Sequence, residues 1–311
     1  MIVFGPIPSR RLGLSLGINN IGSQKLCSYS CVYCQIGETK QKTSLPQTCH
    51  DPEMLAAAVE KHLNKLDARH KPDYLTLVAK GEPTLDINIG KEIRLLKLSG
   101  FPVAVITNAS VLNNNKVRES LYLADWVSVK IDSVDAKIWQ RINRPARPLN
   151  LNSILAGISE FADGFANQLH TETMLLDGYN DTPEQLERTA AFISGLNPRK
   201  AYLSVPTRPC AVKGTKPVSE SKLTEAWYLY ISKGINTELL NGFEGTDSGF
   251  TGNAYEDILS ITAVHPLRED QLTELLNREK SDFSVVQSLL RQRLLKKVNY
   301  RKNIFYARIY R

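Results

Sequence analysis

The chain has 311 residues, 42% of them hydrophobic and 23% charged, enough for one large core with a small addition and no disulfide framework. No run approaches the roughly 20 apolar residues of a membrane helix, and Gly5, Pro6 and Pro8 interrupt the opening segment before a signal-peptide core could form, so a cytoplasmic location is expected. The formal charge of +7 points to nucleic acid until it is located: eight basic and no acidic residues fall in 291–311, leaving 31 basic against 32 acidic residues elsewhere.

In chain order, the first apolar, β-rich run is 14–18, and it leads into Cys27-Ser-Tyr-Ser-Cys31-Val-Tyr-Cys34. Asp51 ahead of Pro52 marks the start of a long apolar-periodic helix. Further runs at 74–79, 103–107, 126–131, 170–176 and 201–205 alternate with helical patterns, and Asp181, Pro183 and Glu184 form a capping box before 186–193. This alternation predicts repeated βα units and a parallel sheet. Ligands of such sheets bind at the carboxyl ends of the strands, which gathers Gly81-Glu82-Pro83, Thr107-Asn108, Lys130 and Asp132 at one mouth. Arg208, between Thr207 and Pro209 after the sixth run, projects there as well. The glycine-rich segment 241–253 reads either as a substrate loop or as a surface connection.

After His265-Pro266, helices are expected at 270–277 and 284–294, then an alternating segment through Tyr300, Ile304, Tyr306 and Ile309. Helix, helix, hairpin is the order of a winged helix-turn-helix end. Two readings of this basic tail are open. In one, its cations meet phosphates while Tyr300, Phe305, Tyr306 and Tyr310 stack on bases; in the other, the aromatics form the buried face of the hairpin. Winged-helix modules also hold peptides, so the module alone does not fix a partner.

Five cysteines is an odd number, three lie within eight residues, and a reducing compartment favours a metal over disulfides. Three thiolates leave one iron of a cubane cluster without a protein ligand, and an open position takes an exogenous ligand. The competing reading is a structural zinc site completed by Cys49 or His50. Cys210 reads as a buried inert thiol or a reactive one.

The three-then-two spacing of these cysteines, with Tyr33 before the last, resembles the signature of the radical S-adenosylmethionine (SAM) superfamily. Gly81-Glu82-Pro83-Thr84 resembles that superfamily's motif for the methionine amino group. The opening Gly5-Pro-Ile-Pro-Ser-Arg-Arg-Leu-Gly, with Thr207-Arg-Pro and His265-Pro, is similar to a branch of uncharacterised iron-sulfur oxidoreductases related to the wyosine-tRNA imidazoline synthases.

The resemblance covers nearly the whole chain. It implies an α/β fold, a partial (β/α)6 TIM barrel over 1–264 with a small winged-helix-like appendage over 265–311. It further implies a [4Fe-4S] cluster on Cys27, Cys31 and Cys34, and reductive cleavage of S-adenosyl-L-methionine to a 5′-deoxyadenosyl radical that abstracts a substrate hydrogen. The electron would come from an external donor such as flavodoxin or ferredoxin. Gly81 and Glu82, followed by Pro83, would receive the methionine amine; Thr107, Asn108 and Asp132 would face the ribose, with Lys130 beside them, and Tyr33 the adenine. Arg10, Arg11 and Arg208 are candidates for an anionic substrate group. The expected substrate is tRNA or another nucleic acid held by the basic tail, with a protein, peptide or small metabolite as the alternative. Two departures stand out. Lys80 occupies a position where the superfamily usually has a small residue, and no cysteine precedes Cys27 to build the second cluster of wyosine-type synthases, so pyruvate-dependent imidazoline synthesis is not expected.

Overall fold

The computed structural model describes residues 2–309 except 23, 68, 69, 243, 244 and 246–248. Its main sheet runs in sequence order: β1 (Val3–Ser9), β2 (Gly13–Ile18), β3 (Tyr74–Leu77), β4 (Val103–Thr107), β5 (Trp126–Lys130), β6 (Gln168–Met174), β7 (Lys200–Ser204) and β8 (Thr237–Leu240). β1 and β2 form an antiparallel hairpin, and every later neighbour is parallel. The sheet curls into a partial TIM barrel that stays open, because β1 and β8 are its two edges.

All six expected strands are present, and the sheet adds one at each edge. β1 escapes the pattern because Gly5, Pro6 and Pro8 read as breakers, yet an edge strand tolerates residues that cannot donate to a ladder. β8 escapes because Thr-Glu-Leu-Leu is short and has no alternation.

Helices α1 (Pro52–Leu63), α2 (Ile89–Lys97), α3 (Asn115–Leu121), α4 (Ala136–Asn143), α5 (Leu151–Gly164), α6 (Pro183–Gly195) and α7 (Glu220–Ser232) connect the strands. As expected, Asp51 caps α1 through the Met54 amide at 2.8 Å. The expected capping box of α6 is corrected: Thr182 is the cap, accepting from the Gln185 amide at 3.4 Å, while Asp181 accepts from the Gly178 amide at 3.1 Å and pairs with Lys222.

Strand parity decides what faces the barrel interior. One set, including Leu75, Leu77, Val103, Val105, Val127, Val129, Ala201 and Leu203, packs in the main core with helical residues such as Leu55, Ile93, Phe161 and Tyr230. The alternate set faces inward. Its lower layer is Ala104, Trp126 and Tyr202 with Leu12 and Leu240, and His170 stacks between Trp126 and Tyr202 at centroid distances of 4.7 and 5.6 Å. Above that layer the inward residues are Ser15, Thr76, Lys130, Glu172 and Ser204, which line a pocket. Thr76 in β3 and, by parity, Ser128 in β5 interrupt otherwise apolar strands on this inner face.

Beyond the barrel come α8 (Ala254–Thr262), β9 (Leu267–Arg268), α9 (Glu269–Arg278), α10 (Ser284–Arg291), β10 (Leu295–Tyr300) and β11 (Asn303–Arg308). The three strands form a small antiparallel sheet in the order β10-β11-β9. Ile258, Leu272, Leu275, Val286, Leu289, Leu295 and Tyr306 share a second core, and this core begins at Ala254, ahead of His265. Of the tail aromatics, Phe305 and Tyr306 are 4% and 1% exposed and, as strand neighbours, point to opposite faces of the hairpin, Tyr306 into the second core and Phe305 edge-on to Tyr300 at 6.2 Å, so the two do not form one base-stacking platform. The Tyr300 hydroxyl donates to the Pro206 carbonyl at 3.2 Å, which ties the hairpin tip to the loop after β7. Tyr310 lies outside the described residues. So does much of segment 241–253; where it is described, the Gly249 amide donates to the Pro6 carbonyl at 2.7 Å and the Gly245 carbonyl accepts from Gln271 at 3.0 Å.

Candidate active site at the carboxyl ends of the strands

The cysteine loop is held from several sides by backbone bonds to segments distant in sequence. Leu26 bridges Gly81 in parallel, and the Leu26 carbonyl accepts from the Glu82 amide at 2.9 Å. A Cβ on Gly81, whose φ is +148°, would stand 1.7 Å from that carbonyl oxygen, so only glycine permits the approach. On another side the Ser30 and Val32 amides donate to the carbonyls of Asn143 and Ile142, each at 2.9 Å. Those carbonyls are free at the end of α4 because Arg144 turns the chain left-handed there.

Cys27, Cys31 and Cys34 all line one pocket of about 330 Å³, and each sulfur meets a side-chain N–H donor. Asn108 Nδ2 reaches Cys27 Sγ at 3.5 Å, Asn143 Nδ2 reaches Cys31 Sγ at 3.4 Å, and Lys25 Nζ reaches Cys34 Sγ at 3.2 Å. Burial, then the neighbouring Cys31 and Glu82, raises the Cys27 thiol above its ordinary value; burial, then Asp132, raises Cys31 to about 12. As bare thiols they are neutral, and a bound metal would deprotonate them outright.

Glu82 is 1% exposed, and burial raises its pKa. Its Oε1 accepts from Thr107 Oγ1 at 2.5 Å and from Thr84 Oγ1 at 2.6 Å, while Oε2 accepts from the Asn108 amide at 2.7 Å. One carboxylate thus links the ends of β3 and β4 and orients Asn108 toward Cys27. Asp132 plays a similar part past β5. Its Oδ2 accepts from Tyr33 Oη at 2.5 Å and Asn143 Nδ2 at 2.7 Å, and its Oδ1 accepts from the Met174 amide at 3.0 Å.

Lys130 Nζ lies 3.1 Å from Glu172 Oε1 and 4.9 Å from the Tyr33 ring centroid. Arg11 pairs with the other oxygen of Glu172, and Ser204 Oγ donates to it at 2.9 Å. Burial would raise Glu172, but Lys130 and Arg11 hold it far below the ordinary carboxylate range. Arg208 Nη2 contacts His265 Nε2 at 2.7 Å, and Arg10 donates to the Gly242 carbonyl at 3.1 Å.

The pocket therefore gathers every site residue named from the sequence except Pro83, whose carbonyl instead accepts from Asn20 at 3.1 Å. Residues the sequence reading missed are Lys25, Asn143, Glu172, Gln35 and His265. Glu172 left no clear signal, since β6 reads Gln-Leu-His-Thr-Glu-Thr-Met and is polar along most of its length; Asn143 left none either, since only the fold brings it to Cys31. Of the two side chains that the zinc reading would use to complete its site, His50 has its Nε2 3.3 Å from the Ile21 carbonyl; among the described residues no group of three His, Cys, Asp or Glu side chains is placed to hold a single metal ion. Elsewhere, His62 Nε2 meets the Gly5 carbonyl at 2.8 Å, and His70 packs edge-on to Phe250 at 5.5 Å.

Comparison with known proteins adds an independent line. The family model described as Radical SAM superfamily matches residues 22–193. The UPF0026 protein MJ1312 of Methanocaldococcus jannaschii is 44% identical over 310 residues, covering 99% of this chain and 96% of the relative. Among solved structures, a radical SAM methyltransferase from Sphaerobacter thermophilus is similar at a TM-score of 0.57 and 15% identity, covering 73% of this chain and 66% of the other. TYW1 with a lysine-pyruvate adduct bound is similar at 0.56 and 14%, covering 71% and 75%. At such identities these two likenesses speak for the fold.

Proposed function

The chain is an enzyme of the radical SAM superfamily and of the UPF0026 family, and from that premise we propose that Cys27, Cys31 and Cys34 hold its [4Fe-4S] cluster and that the pocket beside them takes S-adenosyl-L-methionine. The observation that carries the reading is the gathering of three thiols and the Gly81-Glu82 segment in one pocket, each sulfur met by its own N–H donor. The donor set fits a cluster better than a single ion, because a cubane bonds each thiolate through a separate iron. Three protein ligands leave one iron for the amino acid end of the cofactor. When bound, cluster and cofactor together supply one-electron cleavage of the sulfonium and a 5′-deoxyadenosyl radical.

The protein's own side chains position, shield and neutralise. Gly81 and Glu82 would receive the methionine amine. Glu82 also fixes Asn108 through its backbone amide, and Asn108 and Asp132, which line the same pocket, would meet the ribose. Asp132 holds the Tyr33 ring in place through its phenol, and that ring would serve the adenine. Lys130 and Arg11 balance Glu172 inside the barrel, leaving one net positive charge where the substrate enters. The inner strand layer closed by Trp126, His170 and Tyr202 keeps water from the floor.

We further read the C-terminal unit as a winged-helix-like module that begins with α8. An anionic substrate, such as tRNA or another nucleic acid, is favoured over a neutral metabolite by a second pocket of about 290 Å³ between barrel and appendage. Arg208, Arg268 and Arg301 line it, and of these Arg268 is paired with Asp270.

The test is anaerobic reconstitution followed by iron and sulfide analysis, then incubation with S-adenosylmethionine and a strong reductant. Mass spectrometry should find 5′-deoxyadenosine with the intact chain and none with Cys31→Ala. Zinc without sulfide, or a Cys31→Ala protein with an intact cluster spectrum, would overturn the ligand assignment. For the substrate, Arg301→Ala should weaken RNA binding and flatten its salt dependence; unchanged binding would remove the nucleic-acid reading.

A further inference from the structure

We infer that the outer face of the cysteine loop is the docking surface for a small acidic electron-carrier protein. The inference rests on the cluster reading above and says where the electron enters. The loop has two sides. Its inner side carries Cys27, Cys31 and Cys34 into the pocket. Its outer side is covered by segment 38–48, most of it exposed, and by the chain that follows α4. Lys42 pairs through its backbone with Cys27, and its ammonium donates to the Arg144 carbonyl at 3.0 Å. The Ala146 amide donates to the Ser28 carbonyl at 2.8 Å, placing exposed Arg147 against the same loop. Lys40 is exposed next to Lys42, and Lys25 touches Cys34 Sγ at 3.2 Å.

Across 38–48 and 142–150 the chain thus presents Lys40, Lys42, Arg144 and Arg147 against one acid, Glu38, which lies 3.8 Å from Arg144, while Lys25 is turned inward to Cys34. None of these four cations lines either pocket, so substrate and cofactor binding do not account for them. A face of one sign attracts a partner of the other and raises the rate of encounter. Beside the cations stand Leu45 and Ile87, 72% and 58% exposed and joined through the Gln47–Asp86 bridge. Apolar side chains with a charged rim suit a transient protein interface and offer nothing to a phosphate backbone. That favours a protein over a nucleic acid here. Docked on this side, the carrier is separated from the sulfurs by a single loop, and the pocket mouth stays open. One electron leaves the reduced carrier and the same electron reduces the cluster; no bond forms or breaks and no proton moves.

The experiment uses the reconstituted protein, reduced flavodoxin in one arm and reduced two-iron ferredoxin in the other. Binding is followed by titration calorimetry, and reduction by stopped-flow bleaching of the cluster. Lys40→Glu/Arg147→Glu should weaken carrier binding and slow reduction at least about tenfold at low salt, with the difference vanishing at high salt. Reduction by dithionite should be unchanged, and Lys65→Glu, an exposed change remote from the loop, should have no effect. Equal binding and reduction by both carriers in the variant and the parent would overturn the docking surface. So would an equal slowing with dithionite, which would place the effect in the cluster itself, or loss of oligonucleotide binding with carrier binding intact. Failure of the protein to take up iron and sulfide is a different result: it removes the cluster reading, and this inference with it.

Discussion

Replacing Gly81 by alanine tests the joint on which the site depends. The residue sits at φ +148°, and an added Cβ would lie 1.7 Å from the Leu26 carbonyl oxygen and 2.5 Å from its carbon. Both neighbours are backbone, so the contact cannot be relieved by a side chain turning away. The conformation alone costs about 1–3 kcal/mol for a residue with a Cβ. Parting the strands also removes the bond from the Glu82 amide to the Leu26 carbonyl, 2.9 Å long, for about 1 kcal/mol more. Gly81→Ala should therefore destabilise the protein by about 2–4 kcal/mol. Gly100→Ala is the control, since Gly100 has φ +82° with nothing within 4 Å and bears the conformational cost alone. Urea unfolding of the metal-free proteins reads both. The displacement also moves the cysteine loop from Glu82, so S-adenosylmethionine affinity should fall in the reconstituted Gly81→Ala protein and not in Gly100→Ala. Equal unfolding midpoints for the two variants would refute the close approach, and with it the reason for glycine at this position.

Other outcomes follow from buried groups. His170 is 4% exposed between two aromatic rings, neither ring nitrogen has a hydrogen-bond partner, and burial lowers its pKa from 6.5 to about 4. The unfolded chain therefore takes up a proton that the folded chain refuses, so stability falls as pH drops from about 6.5 toward 4, by about 2 kcal/mol between pH 7 and 5. His170→Phe should flatten that slope in denaturation curves; parallel slopes would contradict the buried neutral ring. Glu172 has the opposite setting for a carboxylate, with its pKa depressed by Lys130 and Arg11. Its contribution is complete above about pH 4.5 and is lost as pH falls below that, so Glu172→Gln should raise the acid-unfolding midpoint and cost about 3–5 kcal/mol at pH 7 by leaving two cations without their carboxylate. An unchanged acid midpoint would remove the ion pair from the account. Glu82→Ala should spare the cluster spectrum, weaken cofactor binding at least about tenfold and loosen Asn108, because its acceptor is gone. Unaltered cofactor affinity in an equilibrium titration would show the methionine placed elsewhere.

The sequence by itself determined what is local. Three cysteines within eight residues, a glycine and a glutamate after a β-rich run, and six alternating runs follow from spacing and period, and six of the eight barrel strands fall where those runs lie. The tertiary structure decided what depends on contacts between distant segments. Pairing along an edge made Val3–Ser9 a strand despite its prolines, since an edge does not need every donor. Shared packing gave α8 to the C-terminal core, and the same packing turned Tyr306 from a base-stacking candidate into a buried residue. Within the site, Asn143 meets Cys31 across 112 positions and Glu172 meets Arg11 across 161. No periodicity reports such a pair, because a side chain's partner is set by the curl of the sheet and not by its neighbours in the chain.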